Sequence, residues 1–226
     1  MKAVFPRYEI YYKDKINGEK VLENLELVAR TCYKSEDYIT ESSKYNLIRN
    51  LIKNEHEAML EHESITVKFI CDRGISHELV RHRVASFAQE STRYCNYSKN
   101  KFNNEVTFIS ILGGIYYDKT IQKKLKDHEM TAENIYNILC EWQSACLDAE
   151  KHYMNLLELG ASPDIARSVL NNSTKTEIVV TANLREWRHF FILRTDISAH
   201  PQMRELTIGL LKDMNDLIPI IFEDLV

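Results

Sequence analysis

The stretch Thr176–Arg194, TEIVVTANLREWRHFFILR, joins two kinds of local structure without a break. Its first seven residues are mostly β-branched, and such side chains pack well on a pleated surface, so Thr176–Ala182 is expected to be a strand. LREWRHFFILR, Leu184 to Arg194, follows directly as a helix. The same β-rich composition occurs in SITVKFIC (Ser64–Cys71), stopped by Asp72-Arg73-Gly74, and in VTFISIL (Val106–Leu112), closed by Gly113-Gly114.

Helical signals fill the space between these strands. Val21–Tyr33 repeats apolar residues at helical spacing, and Ser42–Ile52 opens on serines suited to an N-cap. ISHELVRHRV (Ile75–Val84) is read as a short helix that carries the first arginines. Thr131 caps the longest run, in which Ile135, Ile138, Leu139, Trp142, Ala145, Cys146, Ala149, Tyr153, Leu156 and Leu157 form one stripe ending at Gly160. That stripe is expected to be core. Ser162-Pro163 starts a short helix bearing Arg167, and a terminal helix begins near Pro201. The fold class expected is α+β: a few-stranded sheet with a long central helix pair, as a single domain over residues 1–226.

Composition narrows the function classes. Hydrophobic residues make up 44% and charged residues 27% of the 226, with six glycines and four prolines, an ordinary globular balance. A net charge of -4 argues against a dedicated nucleic-acid or anionic-membrane binder, so any anion site has to be local. No apolar run approaches the roughly 20 residues that span a bilayer, and MKAVFPRYEIYYKDK has no signal-peptide core, so a cytoplasmic protein is expected. The five cysteines are scattered and lack a C-x-x-C pair, which suggests buried free thiols. Cys95 stands near a basic cluster that would lower its pKa, the one cysteine with a case for reactivity.

That cluster is RHRVASFAQESTRY, Arg81 to Tyr94. Arginine forks pair with phosphate or carboxylate, so Arg81, Arg83 and Arg93 suit an anionic ligand. On a helix Arg81 and Arg83 lie about 200° apart, so they serve two anionic groups, or one ligand and one structural partner. A solvated basic face paired with acidic neighbours is the bland alternative, and a nucleotide or RNA binder that stacks bases on Tyr94 and Tyr97 is another. In EHEAMLEH, His56, Glu57, Glu61 and His62 evoke a metal site, but histidines six apart point about 240° away from each other on a helix. Zinc ligation needs the one-face spacing of four, so no metal is expected.

Taken together, R-H-R, seven residues, then S-x-R-Y resembles the signature of the flavin-dependent thymidylate synthases. H-E-x-x-x-E-H at His56–His62, A-R-S-V-L at Ala166–Leu170, and N-L-R-E-W…L-R-T-D…A-H-P-Q-x-R at Asn183–Arg204 extend the resemblance to roughly residues 20–215. It implies synthesis of dTMP from dUMP, with methylenetetrahydrofolate as carbon donor, FAD as hydride donor and NADPH as its reductant. The resemblance also implies a homotetramer with shared active sites.

By the same matching, FAD positions fall on His56, Ala58, Arg81, His82, Arg83, Gln89, Asn183, Leu184, Arg185 and His189. dUMP positions fall on Glu78, Leu79, Val80, Arg81, Gln89, Glu90, Ser91, Thr92, Arg93, Arg167 and Arg194. Arg194 matches the arginine beside uracil N3, where a cation stabilises charge on the ring, so it is the expected catalytic residue. Ser91 has no evident base to activate it and is read as a binding residue. Ala58 stands where some members carry threonine or serine, Gln89 where others have glutamate, His189 where others have asparagine, and Asn171-Asn172 replaces a proline-containing turn. Self-association is expected to use the long apolar helix and the aromatics Trp187, Phe190 and Phe191.

Overall fold

A computed structural model describes all residues 1–226. Two nine-residue strands, β3 (Ser64–Asp72) and β6 (Lys175–Asn183), pair antiparallel along their full length, from Ser64 opposite Asn183 to Asp72 opposite Lys175. β2 (Arg7–Ile10) flanks β3 and β4 (Ala85–Gln89) flanks β6, giving the order β2-β3-β6-β4 with every pair antiparallel. Alternation sorts most of the central pair, Ile70 being buried on the opposite face as well. Ile65, Val67, Phe69, Ile178, Val180 and Ala182 are buried on one face. Thr66 and Thr181 oppose each other on the other, their hydroxyls 2.8 Å apart.

The buried face carries a core of 29 residues, covered by α1 (Gly18–Thr31), α2 (Ser43–Lys53), α8 (Leu184–Arg194), α9 (Pro201–Leu217) and α10 (Pro219–Phe222). The expectation that Trp187, Phe190 and Phe191 are exposed is overturned: all three are buried in this core. Trp187 stacks on Phe191 and Trp187 Nε1 donates to the Ile65 carbonyl at 3.1 Å, which fixes α8 to the sheet. Asn183 accepts the Glu186 amide at 2.8 Å as N-cap, so the strand gives way to helix without a loop.

Three segments differ from expectation. The helix expected over Ile75–Val84 is α3 (Arg73–Leu79), and it ends before Arg81. Ala85–Gln89 then forms β4, a strand hidden in the sequence because alanine, serine and glutamine carry no strand preference and pairing with β6 alone extends them. The strand expected over Val106–Leu112 shrinks to β5 (Thr107–Ile109), paired parallel with β1 (Lys2–Val4), while Gly113-Gly114 lies inside a new helix, α4 (Leu112–Tyr117). A further helix, α5 (Lys119–Lys126), is capped by Asp118.

The two longest helices are anchored separately. α9 packs into the sheet core, whereas α6 (Ala132–Glu158) stands on a smaller cluster with Tyr97, Val106, Phe108 and Ala166. Only Cys146, Ala149 and Tyr153 of its stripe are fully buried; Ile135, Ile138, Leu139 and Trp142 are half-buried and Ala145 is exposed. A single chain covers just the later part of this stripe. Gly160, at φ 91°, closes the helix with the Ala161 amide bonded back to the Leu156 carbonyl, a left-handed termination that favours glycine. Ser162 and α7 (Pro163–Ala166) then bring Arg167 to the sheet.

Candidate active site

The functional residues gather along α3, which is about 10 Å long at 1.5 Å per residue. Asp72 accepts the Ile75 amide at 2.7 Å and starts the helix at the Lys175 end of β6. The chain returns as β4 from Ala85, opposite Ala182, to Gln89, opposite Ile178. One group of side chains therefore sits near the Asn183 end of β6 and a second near the Lys175 end.

At the first end His82 is the hub. Its Nδ1 lies 3.1 Å from Glu186 Oε1, and its Nε2 accepts from Arg194 Nε at 3.0 Å. Arg194 also donates to Glu78 Oε2 at 2.8 Å and to the Glu78 carbonyl at 3.2 Å. A guanidinium has five N–H donors and three are engaged here, which leaves two for a ligand. His82 is buried against the edge of Phe190, and that burial holds its pKa below the usual histidine value, against the opposing pull of Glu186.

His82, Glu186 and His189 present three potential metal-ligating atoms within 4.8 Å of one another. Proton placement disfavours a metal. An arginine Nε always donates, so His82 Nε2 is the acceptor and the single proton of neutral imidazole lies on Nδ1, the atom a metal would need. The His56–His62 segment is equally unsuited. It is a 3-10 turn, Glu57 accepts from Arg188 Nε at 2.9 Å, and Glu61 accepts from Arg185 at 2.6 Å.

Beside this node is an open cleft of about 380 Å³ lined by Val84, Asn183, Arg185, Glu186, His189 and Ile192, among others. Arg81 and Arg83 are exposed next to it in sequence and form no ion pair. Two unpaired guanidinium groups are thus near a cleft whose lining combines apolar Val84 and Ile192 with the carboxylates of Glu57 and Glu61. His56 and Ala58 are exposed at the rim segment. Leu184 and Leu79 are fully buried in the core, so their side chains face away from any ligand and only backbone atoms remain for contact. Val80 is exposed.

At the second end a cavity of about 260 Å³ is lined by Arg73, His77, Thr92, Arg167 and Asn172, among others. Arg167 donates to Thr92 Oγ1 at 3.0 Å. Arg73 and His77 were not singled out as site residues in the sequence, although they precede Arg81 by eight and four residues. Gln89 is tied to Ser76 Oγ at 2.9 Å and Thr176 Oγ1 at 3.2 Å. Glu90 is engaged structurally, accepting from Tyr97 Oη at 3.0 Å and Lys175 Nζ at 2.9 Å. Ser91 Oγ accepts the Arg93 amide at 3.3 Å, shaping the turn, and Arg93 pairs with Asp164 at an exposed site. The expected lowering of the Cys95 pKa is reversed: burial and the nearby Glu90 raise it, so the thiol is less reactive than an ordinary one.

Comparison with known proteins identifies the family and the fold. The sequence model described as thymidylate synthase complementing protein matches residues 18–220. A flavin-dependent thymidylate synthase of Corynebacterium aurimucosum is 31% identical over 203 residues, covering 88% of this chain and 78% of that one. The corresponding protein of Geobacter sulfurreducens is 31% identical over 205 residues, with 88% and 79% covered. In structure the chain is similar to a UMP/dUMP methylase, PolB from Streptomyces cacaoi, solved with 5-Br UMP: TM-score 0.75 at 21% identity, covering 99% of this chain and 95% of that one. With match, identity and fold in accord, the chain belongs to the thymidylate synthase complementing protein family, the flavin-dependent thymidylate synthases.

Proposed function

We propose that this chain, acting as one domain over residues 1–226, reductively methylates dUMP to dTMP. The carbon donor is methylenetetrahydrofolate and the reductant is NADPH, acting through FAD. One observation carries the reading: Arg194, the last residue of α8, is held by His82 and by Glu78 of α3 with two N–H donors free, and the other end of α3 borders the Arg73–Arg167 cavity. Such a pairing suits a nucleotide monophosphate, with the base at Arg194 and the phosphate at Arg167, Arg73 and Thr92.

In this reading the Arg194 donors bind the uracil N3 edge and stabilise negative charge on the ring, which raises electron density at the carbon to be methylated. Bound flavin supplies hydride. Arg81 and Arg83 hold its diphosphate, and Val84, Asn183, Arg185, His189 and Ile192 form the slot beside it. His56 and the backbone at Ala58 complete the rim. Glu78 orients Arg194 and the turn at Ser91-Thr92 presents amides to the phosphate, the Glu90 amide being bonded to the Glu177 carbonyl. No enzyme nucleophile is used, in keeping with a Ser91 hydroxyl that has no base beside it and a Cys95 thiol raised by burial.

We also infer a cytoplasmic homotetramer with shared active sites, in which the half-covered α6 stripe and exposed Tyr136 and Leu147 meet another copy. No helix is long and apolar enough to cross a membrane. The test is dTMP formation by the purified chain given FAD, dUMP, methylenetetrahydrofolate and NADPH. Product that depends on all four is expected. A colourless protein that gains no flavin spectrum with FAD overturns the reading.

A further inference from the structure

The node at the Asn183 end contains a residue with no assigned part in it, Glu186. It stands in the first turn of α8, where a glutamate ordinarily reaches back to the N-cap amide. Here its carboxylate turns inward, 11% exposed, toward His82. We propose that Glu186 is a positioning residue for Arg194: by accepting the His82 Nδ1 proton it fixes the imidazole tautomer whose free Nε2 lone pair anchors the Arg194 guanidinium.

Proton counting supports the chain of contacts. Neutral His82 has one N–H, and burial of the ring against Phe190 favours the neutral form. With the proton on Nδ1, both ring contacts are satisfied: Nδ1–H to Glu186 at 3.1 Å and Arg194 Nε–H to Nε2 at 3.0 Å. With the proton on Nε2, two N–H groups would face each other and Glu186 Oε1 would lose the His82 donor, keeping only His189 Nδ1 at 3.4 Å. Glu186 thus selects one of two arrangements, and only in that one does Arg194 gain its Nε contact to the ring in addition to its two bonds to Glu78. The charged groups around the ring are Glu186, Arg194 and, through Arg194, Glu78; His189 meets its edge at a centroid distance of 5.7 Å.

The role assigned to Arg194 rests on the proposed function, but the tautomer does not, so the test reads both. Glu186→Gln retains a carbonyl acceptor for Nδ1–H, whereas Glu186→Met keeps similar bulk and removes it. In the FAD-loaded enzyme Glu186→Met is expected to lower kcat on the order of tenfold to a hundredfold, the loss of one hydrogen bond to a charged group. The KM for dUMP should change far less. Glu186→Gln should stay within a few-fold of wild type. Nitrogen-15 NMR of histidine-labelled full-length protein should show His82 as the Nδ1–H tautomer in wild type and Glu186→Gln, and a shift toward Nε2–H in Glu186→Met.

Equal kcat losses in the Gln and Met variants, or an unchanged kcat in Glu186→Met, overturn the proposal. So does an Nε2–H or doubly protonated His82 in wild type, a result that stands even where Glu186→Met does not fold. Wild-type protein that makes no dTMP while showing the Nδ1–H tautomer points instead to failure of the proposed activity.

Discussion

Replacing Glu205 by glutamine is expected to stabilise the protein at alkaline pH and to leave it unchanged in acid. Glu205 lies on α9 against α4, where a Cβ built on Gly113 would fall 1.9 Å from Glu205 Oε1, so the carboxyl fills the space this glycine leaves. Its Oε2 is buried without a hydrogen-bond partner, and burial pushes its pKa up to about 7 from 4.5. At 1.36 kcal/mol for each tenfold change in the ionisation constant, that interval corresponds to about 3 kcal/mol, and partial solvation reduces it to ~2 kcal/mol.

The sign follows from linkage. In the unfolded chain Glu205 ionises near 4.5, while in the folded protein it keeps its proton until about 7. Folding is therefore penalised progressively as pH rises between these values, and fully above them. Glutamine resembles the protonated acid in shape and charge, so Glu205→Gln and wild type should melt together at pH 4.5. At pH 8 the variant should melt roughly 4–8 °C higher, at the 2–4 °C per kcal/mol of a chain this size. Thermal melts of the ligand-free protein at both values provide the assay. Equal melting temperatures at pH 8, or a variant destabilised at both, would refute the reasoning. Glu205 lines neither cleft, which separates this effect from the chemistry.

Arg194→Ala should cost about 3 kcal/mol in the chemical step, read as a kcat loss at saturating dUMP with FAD binding largely retained; normal dTMP formation would remove its assigned role. Ser91→Ala should weaken dUMP several-fold, about 1 kcal/mol, with turnover preserved; abolished turnover at unchanged affinity, or a nucleotide adduct mapped to Ser91 by mass spectrometry, would make it a nucleophile. Cys95→Ala should stay within several-fold of wild-type activity, and complete loss in a folded, yellow protein would contradict a mechanism without a thiol.

The sequence by itself determined the central strands and the helix that follows β6, because Ser64–Cys71 and Thr176–Ala182 are rich in β-branched residues that pack on a pleated surface and LREWRHFFILR follows the second without a turn signal. It also singled out Arg81, His82, Arg93, Arg167 and Arg194 as candidates, since motif spacing is a property of the chain. Tertiary structure alone decided what those residues touch. Glu186 and Arg194 are 104 and 112 positions from His82, and no local pattern says which ring nitrogen each one meets. β4 exists because β6 supplies its hydrogen bonds, and Arg73 and His77 join Arg167 only because α3 starts at the sheet end that α7 reaches. Trp187, Phe190 and Phe191 illustrate the same limit: their apolar surface was evident from composition, but whether it meets solvent or the sheet depends on the face that α8 turns inward, which the Asn183 cap and the bond from Trp187 to Ile65 fix together.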